Sequence, residues 1–196
     1  MSRSQKFFLL VCAIALLNGC AHSIRITPES DKLPHGNVIV RSDKIVGYVI
    51  TDEERNRRVI TPGGGGDKVE YAPYKELEGG LYRVLNNVFT NVYSLTSMED
   101  KAFITEKGIV LVMRPTIATN SSSSSLFTWP PTAFEVIIEI KAIDTTGKVI
   151  WAETISGKGA ADFSEVTSDF SLAAIRASEA ALTQLQVRLL ASPLVR

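Results

Sequence analysis

FEVIIEIKAIDTTGKVIWAETIS, residues Phe134–Ser156, is the stretch whose reading decides the fold. Its first arm places Phe134, Val136, Ile138, Ile140 and Ala142 on one face and Glu135, Ile137, Glu139 and Lys141 on the other. Successive side chains of a strand point to opposite faces, so this arm is a strand with one face buried. Asp144-Thr145-Thr146-Gly147 has the composition of a turn. Lys148–Ser156 then returns as a second arm carrying Val149, Trp151 and Ile155, which completes a hairpin. An apolar sheet face needs a cover, and the next residues supply one. Gly157 and Gly159 are expected to end the arm, and Ser168 or Asp169 to cap a helix. Leu172, Ile175, Ala181, Leu182, Leu185 and Leu189 line one side of that helix until Pro193 stops it. Trp151 and Leu182 are expected to be buried against each other's layer.

Upstream of the hairpin, Ile109–Ile117 (IVLVMRPTI) is a continuous apolar run that predicts an inner strand. Pro115 has no N–H to give a ladder, so it marks a bulge or the point where pairing stops. Asn120 and Ser121–Ser125 form a polar loop leading into Leu126-Phe127-Thr128-Trp129-Pro130-Pro131. Soluble monomers rarely display such residues together without a use for them, which makes Leu126, Phe127 and Trp129 candidates for partner binding. The competing expectation is that Phe127 and Trp129 fold back over an open end of the sheet.

Before that strand, Pro73 suits the first turn of a helix. Tyr74, Leu77, Leu81, Val84, Leu85, Val88, Phe89 and Val92 recur at spacings of three and four, an amphipathic helix. Gly79-Gly80 inside it implies close packing on a sheet or a kink. Tyr93–Leu95 could begin a short strand and Met98–Phe103 a helical turn. Asn37–Val40 and Ile45–Thr51 predict a first hairpin around Arg41–Lys44. Asp52–Arg58 predicts a solvated loop in which Asp52, Glu53 and Glu54 offset Arg55, Arg57 and Arg58. Pro62-Gly63-Gly64-Gly65-Gly66-Asp67-Lys68 lacks the hydroxyl that follows the lysine of a phosphate-binding P-loop, since Val69 stands there. It predicts a sharp, mobile turn. The order hairpin, helix, strand, long loop, hairpin, helix gives an α+β fold. It is a single domain with a mainly antiparallel sheet and two amphipathic helices packed on one face.

The N-terminus supplies an address. Arg3 and Lys6 precede an apolar run, Phe7–Leu17, closed by Leu17-Asn18-Gly19-Cys20. A membrane-spanning helix needs roughly 20 apolar residues, and this run is shorter. A basic start, a short apolar core and a small residue before the cut make a secretory signal. LNGC resembles the lipobox of bacterial lipoproteins, with Asn18 where that pattern usually has Ala or Ser. The resemblance implies cleavage before Cys20, diacylglycerol on its sulfur and an acyl chain on its new amino group. Ala21 follows, and in enteric-type sorting the absence of Asp there implies transport to the outer membrane. Residues 1–19 are thus expected to be a signal peptide, 20–36 a lipidated tether rich in polar residues and holding Pro28 and Pro34, and 37–193 the periplasmic domain.

Composition limits the chemistry. Hydrophobic residues make up 45% of the 196-residue chain, enough for a core. Lysine plus arginine number 21, as do aspartate plus glutamate. Loss of Arg3 and Lys6 tips the mature chain slightly acidic, which argues against nucleic acid as a partner. Cys12 leaves with the signal, so Cys20 is the one cysteine of the mature chain. His22 and His35 both precede the expected domain, and there is no HExxH, cysteine–histidine cluster or GxSxG. No metal and no cofactor are expected. Glu135 and Glu139 share a strand face, and Glu70, Glu76 and Glu78 surround the first long helix. A hydrolase would need two such carboxylates across a cleft, whereas glutamates alternating on a strand make its wet face.

The lipobox, a tether, and the pattern of strand, hairpin and C-terminal amphipathic helix through Ile109–Ile117, Phe134–Ser156 and Asp169–Ala191 resemble small proteobacterial lipoproteins. They are of the YajG type and related families of unknown function. The resemblance implies a non-enzymatic scaffold or accessory subunit of an envelope assembly, anchored in the outer membrane and facing the periplasm, that works by binding a protein partner. The alternative is a binder of a small apolar or glycan ligand between sheet and helices. A carboxylate-dependent hydrolase is a remote third reading.

Overall fold

The computed structural model describes residues 21–35, 41–123 and 130–195. The hairpin is its longest feature: β7 (Ala133–Asp144) and β8 (Val149–Ala160) pair antiparallel, and β7 also pairs antiparallel with β6 (Leu111–Ser122). Gly147, with φ of 87°, turns the hairpin, and the Asp144 carboxylate accepts from the amides of Thr146 and Lys148. On the other side β6 pairs parallel with β2 (Ser42–Val49), which pairs parallel with β5 (Phe89–Leu95). The sheet order is β5-β2-β6-β7-β8. A smaller sheet, ordered β1-β4-β3, consists of β1 (Ala21–Ser23), β4 (Lys68–Tyr71) and β3 (Val59–Pro62).

Five α-helices, α1 (Asp52–Asn56), α2 (Pro73–Val88), α3 (Lys101–Glu106), α4 (Phe163–Val166) and α5 (Leu172–Ala191), and a 3₁₀ turn at Pro193–Val195 complete the elements of the described residues. The two long ones, α2 and α5, cover one face of the main sheet. Leu81, Val84, Leu85, Leu182, Leu185 and Leu189 fill the space above Met113, Val136, Ile138 and Ile140, all buried in one core. The fold is the α+β domain that the pattern predicts, with a sheet antiparallel through β6–β8 and parallel through β5, β2 and β6. On the opposite face α3 closes a second cluster, in which Phe103 and Ile104 pack against Val49, Leu95, Ile109 and Val112.

Pro115 falls where a ladder ends. β2 accompanies β6 only as far as Met113, and two residues beyond Pro115 the amide of Ile117 donates to Tyr74 Oη instead of to a strand. The pairing with β7 runs through Pro115 without a break.

Several expectations are corrected. Ser42–Lys44 belong to β2 rather than to a turn, and Asn37–Val40 lie outside the described residues. Asp52–Asn56 is a helix, because Thr51 and Glu54 form a capping box that satisfies its first amides. Phe89 and Val92 sit in β5, since α2 stops at Val88 and Phe89 continues as extended chain against β2. Ser121 and Ser122 extend β6, where the Ser121 hydroxyl is satisfied by Thr61 Oγ1 and the Pro62 carbonyl.

Gly157 and Gly159 do not end β8. They are where α5 touches it: a Cβ on Gly157 would overlap Ala181 N and Ala177 O, and one on Gly159 would overlap Ala173 O. The backbones meet there because neither side supplies bulk. The α5 N-cap position is held by Ser171, while Asp169 accepts from the Ser171 amide. Leu182 is fully buried, and Trp151 is half-buried at the core's margin.

Candidate functional site

The residues read as a tether are woven into the domain. β1 lies parallel to β4 with Ala21 opposite Lys68, His22 opposite Val69 and Ser23 opposite Glu70. The Ile24 amide continues the ladder to the Glu70 carbonyl at 3.1 Å. Ile24, Ile26 and Leu33 are buried in the main core. Between them the polar groups are tied down. Glu76 accepts from the Ile26 amide at 2.6 Å and the Ala72 amide at 3.0 Å, so one carboxylate links this segment to the start of α2. Arg25 Nη2 reaches Asp169 at 2.8 Å, and the Asn87 side chain donates to the Pro34 carbonyl. Gly80 leaves the room: a Cβ there would crowd both Pro28 and Leu182. The expected close packing on a sheet is corrected: Gly80 packs closely against α5 and this segment, and Gly79 faces open space.

This segment defines one end of the molecule. Ala21 stands beside Lys68, Lys68 pairs with Pro62, and the Pro62 carbonyl accepts from Ser121 near the end of β6. The turn at Gly63–Asp67 belongs to the same end, with Gly65 and Gly66 at φ of 65° and 87°. Ser122, Ala133 and Ala160 close β6, β7 and β8 there. Cys20, Leu126, Phe127 and Trp129, the sequence-derived site residues, lie outside the described residues. Of their described neighbours, Ala21 adjoins Lys68, Ser123 follows the last residue of β6, and Pro130 precedes the first of β7.

The glutamates that could have served acid–base chemistry are engaged structurally. Glu70 pairs with Arg58 at 2.6 Å, and Glu78 binds Arg55 through two contacts of 2.8 Å while accepting from Tyr48 at 3.0 Å. Glu139 pairs with Lys141 at 2.8 Å, and Glu135 accepts from Ser156 at 2.6 Å. Glu135 lines a shallow pocket of about 420 Å³ at the ends of β6, β7 and β8, while Glu139 lies on the wet sheet face outside it, so the two do not face each other across one cleft. Sequence reasoning missed Glu54, which is buried and held by both Arg114 terminal nitrogens at 2.7 and 2.8 Å. Those hydrogen bonds lower its pKa to about 2. Arg55 likewise depresses Glu78. A general acid needs the opposite shift. The signal for Glu54 was present in the sequence as Thr51-x-x-Glu54, a capping box.

His22 lies 3.8 Å from Asp67, and His35 Nδ1 lies 2.8 Å from Arg83. Among the described residues no group of three or more His, Cys, Asp or Glu side chains is placed to hold a metal ion. The far end carries a cleft of about 510 Å³ between α3 and the β7–β8 turn, lined by Met98, Ile104, Val110, Val112, Asp144 and Thr146. Val110 and Val149, at 45% and 47% exposure, are exposed apolar side chains at this end, as Phe163 is just past the other end of β8. No helix among the described residues is long and apolar enough to cross a membrane.

No protein-family model matches the chain, and no curated protein matches it in sequence. Solved structures of similar shape exist. A DUF330-family protein from Xanthomonas campestris is 14% identical, with 87% of this chain and 91% of that chain covered and a TM-score of 0.43. A single-residue variant of the PelC dodecamer from Paraburkholderia phytofirmans is also 14% identical, covering 80% and 95%, with a TM-score of 0.45. A homolog of a neuraminyllactose-binding hemagglutinin from Helicobacter pylori is 12% identical, covering 80% and 91%, with a TM-score of 0.44. All three scores are below one half, and the functional reading rests on the chain's own residues.

Proposed function

We propose that this chain is a lipoprotein, cleaved before Cys20 and acylated there, that sits at the outer membrane facing the periplasm. It serves as a non-enzymatic scaffold or accessory subunit of a cell-envelope assembly. The observation that carries this reading is Leu17-Asn18-Gly19-Cys20 at the end of a short apolar run behind Arg3 and Lys6. Two features of the geometry support it. The carboxylates that acid–base chemistry would use are held in ion pairs and backbone clamps. Leu126, Phe127 and Trp129 fall in the stretch between the end of β6 at Ser122 and the start of β7 at Ala133, and aromatic residues are favoured anchors of protein interfaces. A second reading, a binder of a small apolar or glycan ligand, has its place in the cleft beneath α3, where an apolar floor meets Asp144 and Thr146.

The anchor is tested with Cys20→Ser in cells fed labelled fatty acid. The parent chain should carry label and fractionate with the outer membrane, and the variant should do neither. Label on the variant, or outer-membrane recovery equal to the parent, overturns the anchor. In the lipidated parent, Phe127→Ala with Trp129→Ala should leave Tm within a few degrees while abolishing cross-links to neighbouring envelope proteins. Unchanged cross-links overturn the docking role of this segment.

A further inference from the structure

The residue that would carry the lipid has no leash. Ala21 is peptide-bonded to Cys20, one Cα step of about 3.8 Å away, and Ala21 is already in register with Lys68. Three residues on, Ile24 is buried, and Arg25 is bound to Asp169. A flexible tether over 20–36 would let the domain wander by about 22 Å, taking 5–6 Å times the square root of residue number. The structure removes that freedom, because within residues 21–35 the chain forms a strand and contributes Ile24, Ile26 and Leu33 to the core. We infer that the domain is seated on a phospholipid surface by one defined end. That end is formed by β1, the Gly63–Asp67 turn and the ends of β6, β7 and β8.

This inference rests on acylation of Cys20. It adds an orientation to that reading. The opposite end, with the 144–147 turn, α3 and the apolar cleft, then stands well away from the lipid. β7 has 12 residues, and at about 3.3 Å each it separates the two ends by about 40 Å. Lys68 at the start of β4 is exposed, and Lys158 near the end of β8 keeps 78% of its side chain in solvent, so both can meet headgroup phosphates. Asp67 and Glu135 beside them offset much of that charge, so the acyl chains, not the cations, set the attachment.

The test uses the full acylated chain. Lys68→Cys and Thr145→Cys each introduce a single labelling site, since the Cys20 sulfur is blocked by its thioether. Each variant is labelled with a fluorophore and reconstituted in phosphatidylethanolamine–phosphatidylglycerol vesicles containing headgroup-nitroxide lipid. Intact mass first establishes the acyl chains, and their absence overturns both the anchor and the orientation. With the chains present, the label at position 68 should be quenched several-fold more than the label at 145. Inserting eight Gly/Ser residues between Cys20 and Ala21, a span of about 16 Å, should largely erase the difference. Equal quenching at the two positions overturns the seating while leaving the anchor intact. A difference that survives the insertion unchanged overturns the claim that the missing leash sets it.

Discussion

Across the five-stranded sheet, β6, β7 and β8 run antiparallel, with α5 over β7 and β8, and leave Glu139, Lys141 and Lys158 wet on the other face, whereas β5 and β2 run parallel and β2 is buried on both faces over Val46–Val49. α2 covers one side of the parallel pair, and α3 with Phe103 and Ile104 covers the other. Parallel strands occur where both faces are buried, and antiparallel ones tolerate solvent on one side. The two halves therefore draw stability from different sources. The one-sided half depends on how closely a single helix can approach it. The two-sided half is clamped from above and below by smaller contacts.

The largest effect is expected where α5 meets β8. Gly157→Val puts branched bulk against the α5 backbone at Ala177 and Ala181, where no rotamer escapes. The helix must lift, at a cost of about 4 kcal/mol or more, or a fall of about 10 °C in Tm. A Tm within two degrees or so of the parent would mean that the helix does not sit on the strand.

Next comes the join between the halves. Arg114 on β6 binds Glu54 and the Val49 carbonyl at the end of β2. Glu54 has a folded pKa of about 2 against an ordinary 4.5, so its contribution is complete above 4.5 and is lost as pH falls toward 2. A shift of that size corresponds to about 3 kcal/mol. Glu54→Gln should therefore be less stable than the parent near neutral pH, with the gap in denaturant midpoint closing on acidification. A gap independent of pH would remove the ion pair from the account.

The smallest effect belongs to the two-sided half. Phe103 is half-buried, stacked edge-on to Tyr93 at 6.1 Å. Phe103→Ala should cost about 1–2 kcal/mol, less than for a fully buried ring. In hydrogen exchange, α3 should lose protection while β7 and β8 keep theirs. If β7 and β8 open as well, the two faces are one cooperative unit and the comparison fails.

The same contrast explains what the sequence disclosed. The β7–β8 hairpin, its turn and the α5 stripe were legible because a strand with one wet face writes its period into the residues. The parallel half wrote no such period: Ile45, Val46, Tyr48 and Val49 are apolar toward both faces, and Phe89 and Val92 fitted a helix as well as a strand. Gly157 and Gly159 looked like stops because the partner that requires them lies along α5. Ile24, Ile26 and Leu33 were passed over among prolines and polar residues, although the spacing of Ile24 and Ile26 suits a strand edge. Of the candidate site, the Leu17-Asn18-Gly19-Cys20 pattern lies in adjacent residues and could be read as a proposal, whereas the bonds could not. Glu54 and Arg114 stand 60 residues apart in the chain, and only the fold brings them together.

The weaving of the first residues into the domain has a consequence for the order in which the chain can close. Synthesis proceeds from the N-terminus, so Ile24, Ile26 and Leu33 are made first. Their fastenings come late: Arg25 binds Asp169, 144 residues on, and the Glu29 amide donates to Glu179 after 150. Contacts of such separation form only when loop closure over most of the chain is offset by packing. β4 and α2 supply earlier partners, through the Glu70 carbonyl and the Glu76 carboxylate, but the core around Ile24, Ile26 and Leu33 stays open on its α5 side until that helix is made, and open apolar surface invites association. The first strand of the domain is therefore fastened in two stages, to β4 and α2 before α5 is made and to α5 after it.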